Sequence, residues 1–254
     1  MCQVTLHTWK GWLMNYKEIE QLKISLPKAE TYIANYTSAF DVKFAHHSTA
    51  IEGNTLSFIE TKLVIEDRQS IGGKSLREIY EVANHHDAFM YICDQVQQGF
   101  SLNEEKVKKI HRLLLDKIAT YAGTYRANDV FISGTDYVPP SYDGEMYPML
   151  RKFYEDLSVK TMIYNPIEYA AWTHAEFVHI HPFNDGNGRT ARLLLNYQLM
   201  FNGYLPIIIP FEERNQYYQA LQEYDHDHNL EPFAELIGKY VYEELKKTAK
   251  YIRR

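Results

Sequence analysis

His181, Pro182, Phe183, Asn184, Asp185, Gly186, Asn187, Gly188, Arg189, Thr190, Ala191 and Arg192 follow one another without interruption. The run contains an imidazole, a carboxylate, two glycines around an asparagine, and two guanidinium groups. An imidazole can take a proton, and a carboxylate can hold a hard cation such as Mg2+. Glycines let an anion approach main-chain N–H groups closely, and arginines clamp phosphate oxygens. The chemistry these groups share is handling of a nucleotide's phosphate chain next to a group that must lose a proton.

The elements around the run put these groups in reach of one another. Asn165 and Pro166 open a helix as N-cap and first helical residue, with Ile167, Ala170, Ala171, Ala175 and Val178 at helical spacing. Pro182 stops it. A second helix is expected over about 189–201, with Leu193, Leu194, Leu195, Leu199 and Met200 as its apolar body. The run is then a helix–loop–helix turn. Unpaired N–H groups of the second helix, with its positive dipole end, face outward at residues 186–188. Arg189 and Arg192 are expected on one helical face, each on a different phosphate. His181 ends the first helix, whose dipole should make the imidazole a better proton acceptor.

The residues His181, Phe183, Asp185, Gly186, Asn187, Gly188, Arg189 and Arg192 fill every defining position of the Fic family signature, HxFx[D/E]GNGRxxR, and the chain resembles that family. A second motif lies upstream. Ser48-Thr49-Ala50-Ile51-Glu52-Gly53-Asn54 ends a helical pattern that begins at about residue 28, and by itself it describes an ordinary glycine-terminated helix end. It is also similar to the [S/T]xxxE[G/N] inhibitory motif of Fic proteins. The resemblance implies that Ser48 and Glu52 belong to an inhibitory helix and that Glu52 pairs with Arg192, which could not then grip a terminal phosphate.

Most of the remaining chain reads as helix, so the expected fold class is all-α: a Fic-type helical bundle with a short β-hairpin. The hairpin is expected from Asp129-Val130-Phe131-Ile132, a turn at Ser133-Gly134-Thr135-Asp136 and a return through Tyr137-Val138 to Pro139-Pro140. By resemblance, Thr135, Asp136, Tyr137 and Val138 form a flap that pairs with an extended target segment. Ser101 and Glu104 suggest a capping box for the helix beginning there. A strand-like Gln3-Val4-Thr5-Leu6 lies near the start. Residues 1–40 are taken as a helical or irregular extension and 41–254 as the Fic domain, with the inhibitory helix at about 41–53.

Composition narrows the function classes. The chain has 254 residues and a net charge of −6, with no basic run longer than two residues, which argues against a nucleic-acid surface. No apolar run approaches the roughly 20 residues of a membrane span. Cys2 and Cys93 are the two cysteines, too few for a disulfide framework, and the N-terminus does not read as a signal peptide. The expected compartment is the cytoplasm. His46-His47, His85-His86 and the His226/His228 pair lack the spacing of a metal motif.

The resemblance implies a protein adenylyltransferase that uses ATP and Mg2+. His181 would be the base and Asp185 the metal ligand. Gly186, Asn187, Gly188, Arg189 and Arg192 would hold the phosphates, and Tyr217 and Tyr218 would border the adenine, although a core role fits those tyrosines equally. The partner is a protein with a Ser, Thr or Tyr hydroxyl. The chain itself is a candidate acceptor and a homodimer a candidate assembly. Alternatives are an enzyme that also removes AMP, with Glu52 positioning water, and a non-catalytic ATP-binding regulatory module.

Overall fold

Asn165 accepts hydrogen bonds from the amides of Ile167 and Glu168, and the Glu168 carboxylate accepts one from the Asn165 amide. With Pro166 in the first turn, this starts the helix that carries His181 at its far end. The structure, a computed structural model, describes residues 12–26, 33–132 and 135–252. Among them are ten α-helices: α1 (Trp12–Ser25), α2 (Ile33–Ile51), α3 (Phe58–Glu66), α4 (Leu76–Gln97), α5 (Glu104–Leu114), α6 (Met146–Lys160), α7 (Pro166–Ile180), α8 (Asn187–Phe201), α9 (Arg214–Asp227) and α10 (Glu231–Ile252).

Every residue of α8 from Arg189 to Leu199 is buried, so that stretch has no solvent face and must be surrounded. Helices α2, α4, α5 and α7 pack against it, while α6 and α10 cover α7 and α1 lies along α10. One apolar cluster extends from Ile19 through Phe183 to Leu245, and a smaller one, with Val42, Ala45, Val64 and Val82, joins α2, α3 and α4. Burying the Phe183 ring contributes about 2–3 kcal/mol and roots the 181–186 loop in that core.

Two local expectations are corrected. The cap of α5 is Asn103, whose side chain accepts from the Lys106 amide, rather than Ser101. The short Asn side chain two residues further on reaches the first turn directly. No strand occurs among the described residues, so the expected hairpin of 129–132 and 137–138 is not seen there. The tip at Ser133 and Gly134, like Gln3-Val4-Thr5-Leu6, lies outside the described residues. The segment's polar main-chain groups are satisfied differently. The buried Arg126 guanidinium donates to the carbonyls of Asn128 (2.9 Å) and Pro140 (2.5 Å), gathering both arms of the loop at its root. Phe131 is 86% exposed, so its ring gives a two-stranded ribbon nothing to pack on.

Candidate active site

Helix α7 ends with His181 in the left-handed conformation, φ 49°, which a non-glycine residue adopts only where its surroundings hold it. Two bonds from Arg126 do so. Its Nε donates to the His181 carbonyl (2.9 Å) and its amide to the Pro182 carbonyl (2.9 Å). The His181 ring faces its own helix end: Nδ1 lies 3.2 Å from the Val178 carbonyl, which can only accept, so this nitrogen carries the proton. Nε2 then keeps its lone pair and has no hydrogen-bond partner among the described residues. Burial pushes the His181 pKa down to about 4, with the nearby Arg126 cation acting in the same direction. The expectation of a raised proton affinity is therefore corrected: burial lowers it, and the imidazole is a neutral base through the physiological range.

The cradle begins at Gly186, φ 77°, the N-cap of α8. The amides of Asn187, Gly188 and Arg189 in the first helical turn find no acceptor among the described residues. They point to a space that an anion can fill. The Asn187 side chain does not join them. Its carboxamide accepts from the Phe183 amide (2.9 Å) and donates to the Phe183 carbonyl (2.8 Å), so it braces the loop from inside. Only its main chain is left for a ligand.

The two motif arginines have separate surroundings. Arg192, 1% exposed, donates from Nε to Ser48 Oγ (2.9 Å), and from Nη2 to the Ser48 carbonyl (2.8 Å) and Glu52 Oε1 (2.7 Å). Its pKa is raised: burial opposes the charge, but the Glu52 carboxylate more than offsets this. A methyl group on Gly188 would stand 2.4 Å from Glu52 Oε1, so the carboxylate lies against the cradle and only glycine leaves room for it. Arg189, 2% exposed, turns to Asp185 Oδ1 (3.0 Å) and lies 3.3 Å from Glu81 Oε1. Its Nε is buried without a hydrogen-bond partner, a donor still to be used.

Asp185 is held from several sides. Oδ1 accepts from the Gly186 amide (2.6 Å) and from Arg189, and Oδ2 from Arg77 Nη2 (2.6 Å). Burial opposes its charge, yet Arg189 and Arg77 hold the carboxyl below its ordinary value.

Tyr217 is buried behind Arg192. Its hydroxyl pairs with His174 Nε2 at 3.0 Å and lies 3.5 Å from Arg192 Nη1. Tyr218 is 43% exposed and donates to the Ile51 carbonyl (3.3 Å), at the foot of the Glu52 turn. In the 127–140 loop, Tyr137 is an anchor. Its ring stacks on His179 and its hydroxyl donates to the His179 carbonyl (2.9 Å). Thr135 Oγ1 accepts from the Tyr137 amide (3.1 Å), Asp136 lies 3.5 Å from His226, and Val138 is exposed.

Several residues at the site carry no signal in the sequence. His111 stacks flat on Phe183, with ring centroids 3.6 Å apart. It accepts from the Gly123 amide at Nδ1 (2.8 Å) and so donates from Nε2 to the Asp185 carbonyl (2.9 Å). Burial lowers its pKa to about 4, which keeps that tautomer neutral. His85 is wholly buried, and burial, with the Arg192 and Arg189 cations beside it, keeps its ring neutral. Arg77, Glu81, His111 and Arg126 belong to α4, α5 and a following loop, and no local spacing links them to the motif.

Comparison with known proteins agrees with this geometry. Residues 101–199 match the family model described as Fic/DOC family. Over 197 residues, 76% of this chain, the sequence is 38% identical to a Protein adenylyltransferase Fic from Nematostella vectensis. This chain spans 45% of that relative's length. Among solved structures, a Fic-domain-containing signalling protein from Bacteroides thetaiotaomicron superposes with a TM-score of 0.83 at 25% identity, over 91% of this chain and 95% of that one. Fic-1 from C. elegans superposes with a TM-score of 0.82 at 28% identity, over 95% of this chain and 72% of that one. Signature, bundle and relatives agree: the chain carries a domain of the Fic/DOC family.

Proposed function

We propose that this chain is a protein adenylyltransferase kept inactive by its own Glu52. The observation that carries the reading is the Glu52–Arg192 pair lying against unpaired amides, next to a neutral imidazole with a free nitrogen. The names of its relatives support the same activity. In the reaction, a Ser, Thr or Tyr hydroxyl of a target protein gives its proton to His181 Nε2 as its oxygen attacks the α-phosphorus of ATP. The new P–O bond forms as the bond to the bridging oxygen breaks, and pyrophosphate leaves with the electron pair.

Charge that builds on the α-phosphate oxygens meets the amides of Asn187, Gly188 and Arg189. Arg189, with its unspent Nε, takes the β-phosphate, and Arg192 takes the γ-phosphate once Glu52 has withdrawn. Asp185 suits a nucleotide-borne Mg2+, because such ions take one or two carboxylates and fill their remaining positions with phosphate and water. When bound, Mg2+ would offset charge between the α- and β-phosphates. The 127–140 loop, rooted by Arg126 and Tyr137, serves as the flap that lays a target segment over His181, using its exposed Val138 side.

The test uses the Glu52→Gly protein with ATP labelled at the α- or the γ-phosphorus. Protein-bound α-label without γ-label is the expected result. γ-label would make the chain a phosphotransferase, and no label with any target or with the chain itself would leave a binding module.

A further inference from the structure

Asp185 has two arginine partners of different kinds. Arg189 is buried and comes from the same turn as the carboxylate. Arg77 comes from the first turn of α4, 108 positions away, and its side chain is 58% exposed. It grips Asp185 Oδ2 through Nη2 at 2.6 Å and Glu81 Oε1 through Nε at 3.1 Å. The first bond can therefore break while the second keeps the side chain tethered, and the freed guanidinium swings into water. Arg189 has no such exit.

Arg77 also occupies the accessible side of the carboxylate. Oδ1 already accepts two hydrogen bonds, from the Gly186 amide and Arg189, which uses its in-plane lone pairs. Oδ2 accepts one, and that one is Arg77. A hard cation reaching Asp185 must approach Oδ2, where a positive charge already sits.

We propose that Arg77 is an exchangeable counter-ion, a stand-in for the metal, that caps Asp185 while the site lacks nucleotide and gives way when the metal–nucleotide complex enters. It keeps the carboxylate aimed in the empty state and sets how much free divalent cation the site needs. This rests on reading Asp185 as the carboxylate that meets the nucleotide-borne cation.

The test is binding of Mn2+ in the presence of ADP, followed by electron paramagnetic resonance. ADP has no γ-phosphate to contest Glu52, so binding is read with the Glu52–Arg192 pair in place. Arg77→Met, which removes the charge and keeps the stem, should bind Mn2+·ADP about tenfold more tightly, the scale of one unit charge removed near a divalent ion at a solvated site. The gain should shrink with added salt. Arg77→Lys should stay within about twofold of the parent, because the charge persists. Asp185→Asn is the control. If it leaves Mn2+ binding intact, the metal-ligand reading of Asp185 falls. If it abolishes binding while Arg77→Met binds as the parent does, or more weakly, the stand-in role is overturned. Weaker binding would make Arg77 a phosphate contact.

Discussion

Glu52 Oε1 lies 2.7 Å from Arg192 Nη2, across 140 positions of sequence, and the same carboxylate lies against Gly188. Helix α2, which ends one residue before Glu52, also presents Ser48 to Arg192 through both its hydroxyl and its carbonyl. A buried arginine with three such bonds cannot turn to a phosphate without losing them. Replacing Glu52 by Gln, which keeps the shape and removes the charge, should raise transfer several-fold, less than Gly does. Ser48→Ala should raise it by about threefold or less, since one neutral acceptor is lost. Initial rates with labelled ATP order the three variants.

His181 should remain a competent base well below the usual histidine range. Its folded-state pKa is depressed to about 4, so the neutral form persists as pH falls from 7 to 5. In the Glu52→Gly protein, kcat/KM should lose activity to protonation of this group only near pH 4. An acid limb centred at about 6.5 would mean that the ring is freely hydrated. Stability follows the same sign. The unfolded chain takes up protons at His181 and His111 from about pH 6.5 downward, whereas the folded chain resists until about 4. Urea midpoints should therefore fall as pH drops through that window.

Arg126 ties the two arms of the segment between Asn128 and Pro140 to the His181 carbonyl. Arg126→Met leaves three carbonyls without their donor, that of Pro140 buried and two partly so, and should cost about 2–4 kcal/mol in urea unfolding. Arg126→Lys keeps the charge but not the fork and should recover part of the stability. The target KM should rise in both variants, because the root of the flap is loosened.

His111→Phe keeps the flat stack on Phe183 and removes both hydrogen bonds. It should leave the fold intact, cost about 1–2 kcal/mol, and raise the Mg2+ concentration needed for half-maximal transfer, because the Asp185 carbonyl loses the His111 donor. An unchanged Mg2+ dependence would confine His111 to packing.

What the sequence discloses and what it hides follow from distance along the chain. The cradle is legible because its parts lie within one turn and obey helix-start rules: Gly186 at the cap, with free amides after it. The site's polar lining is not, because Arg77, Glu81, His111 and Arg126 are brought in by packing of α4 and α5 on α8. The strand-like run at 129–132, the turn and the return at 137–138 predict a hairpin, but residue type says nothing of the buried arginine that takes the Asn128 and Pro140 carbonyls. The dipole argument for His181 failed for a related reason. Helix position can be read from the sequence, whereas the depth of burial that lowers its pKa comes from the whole bundle.

The most direct check is the initial rate of adenylyl transfer by the parent chain, Glu52→Gly, and Glu52→Gly with His181→Ala, at one saturating ATP concentration. Glu52→Gly should exceed the parent by roughly ten- to hundredfold, the value of a charge-assisted contact freed for the nucleotide, and the double variant should fall to background. Equal rates for parent and Glu52→Gly, or full activity without His181, would contradict the reading of this site as a self-inhibited adenylyltransferase.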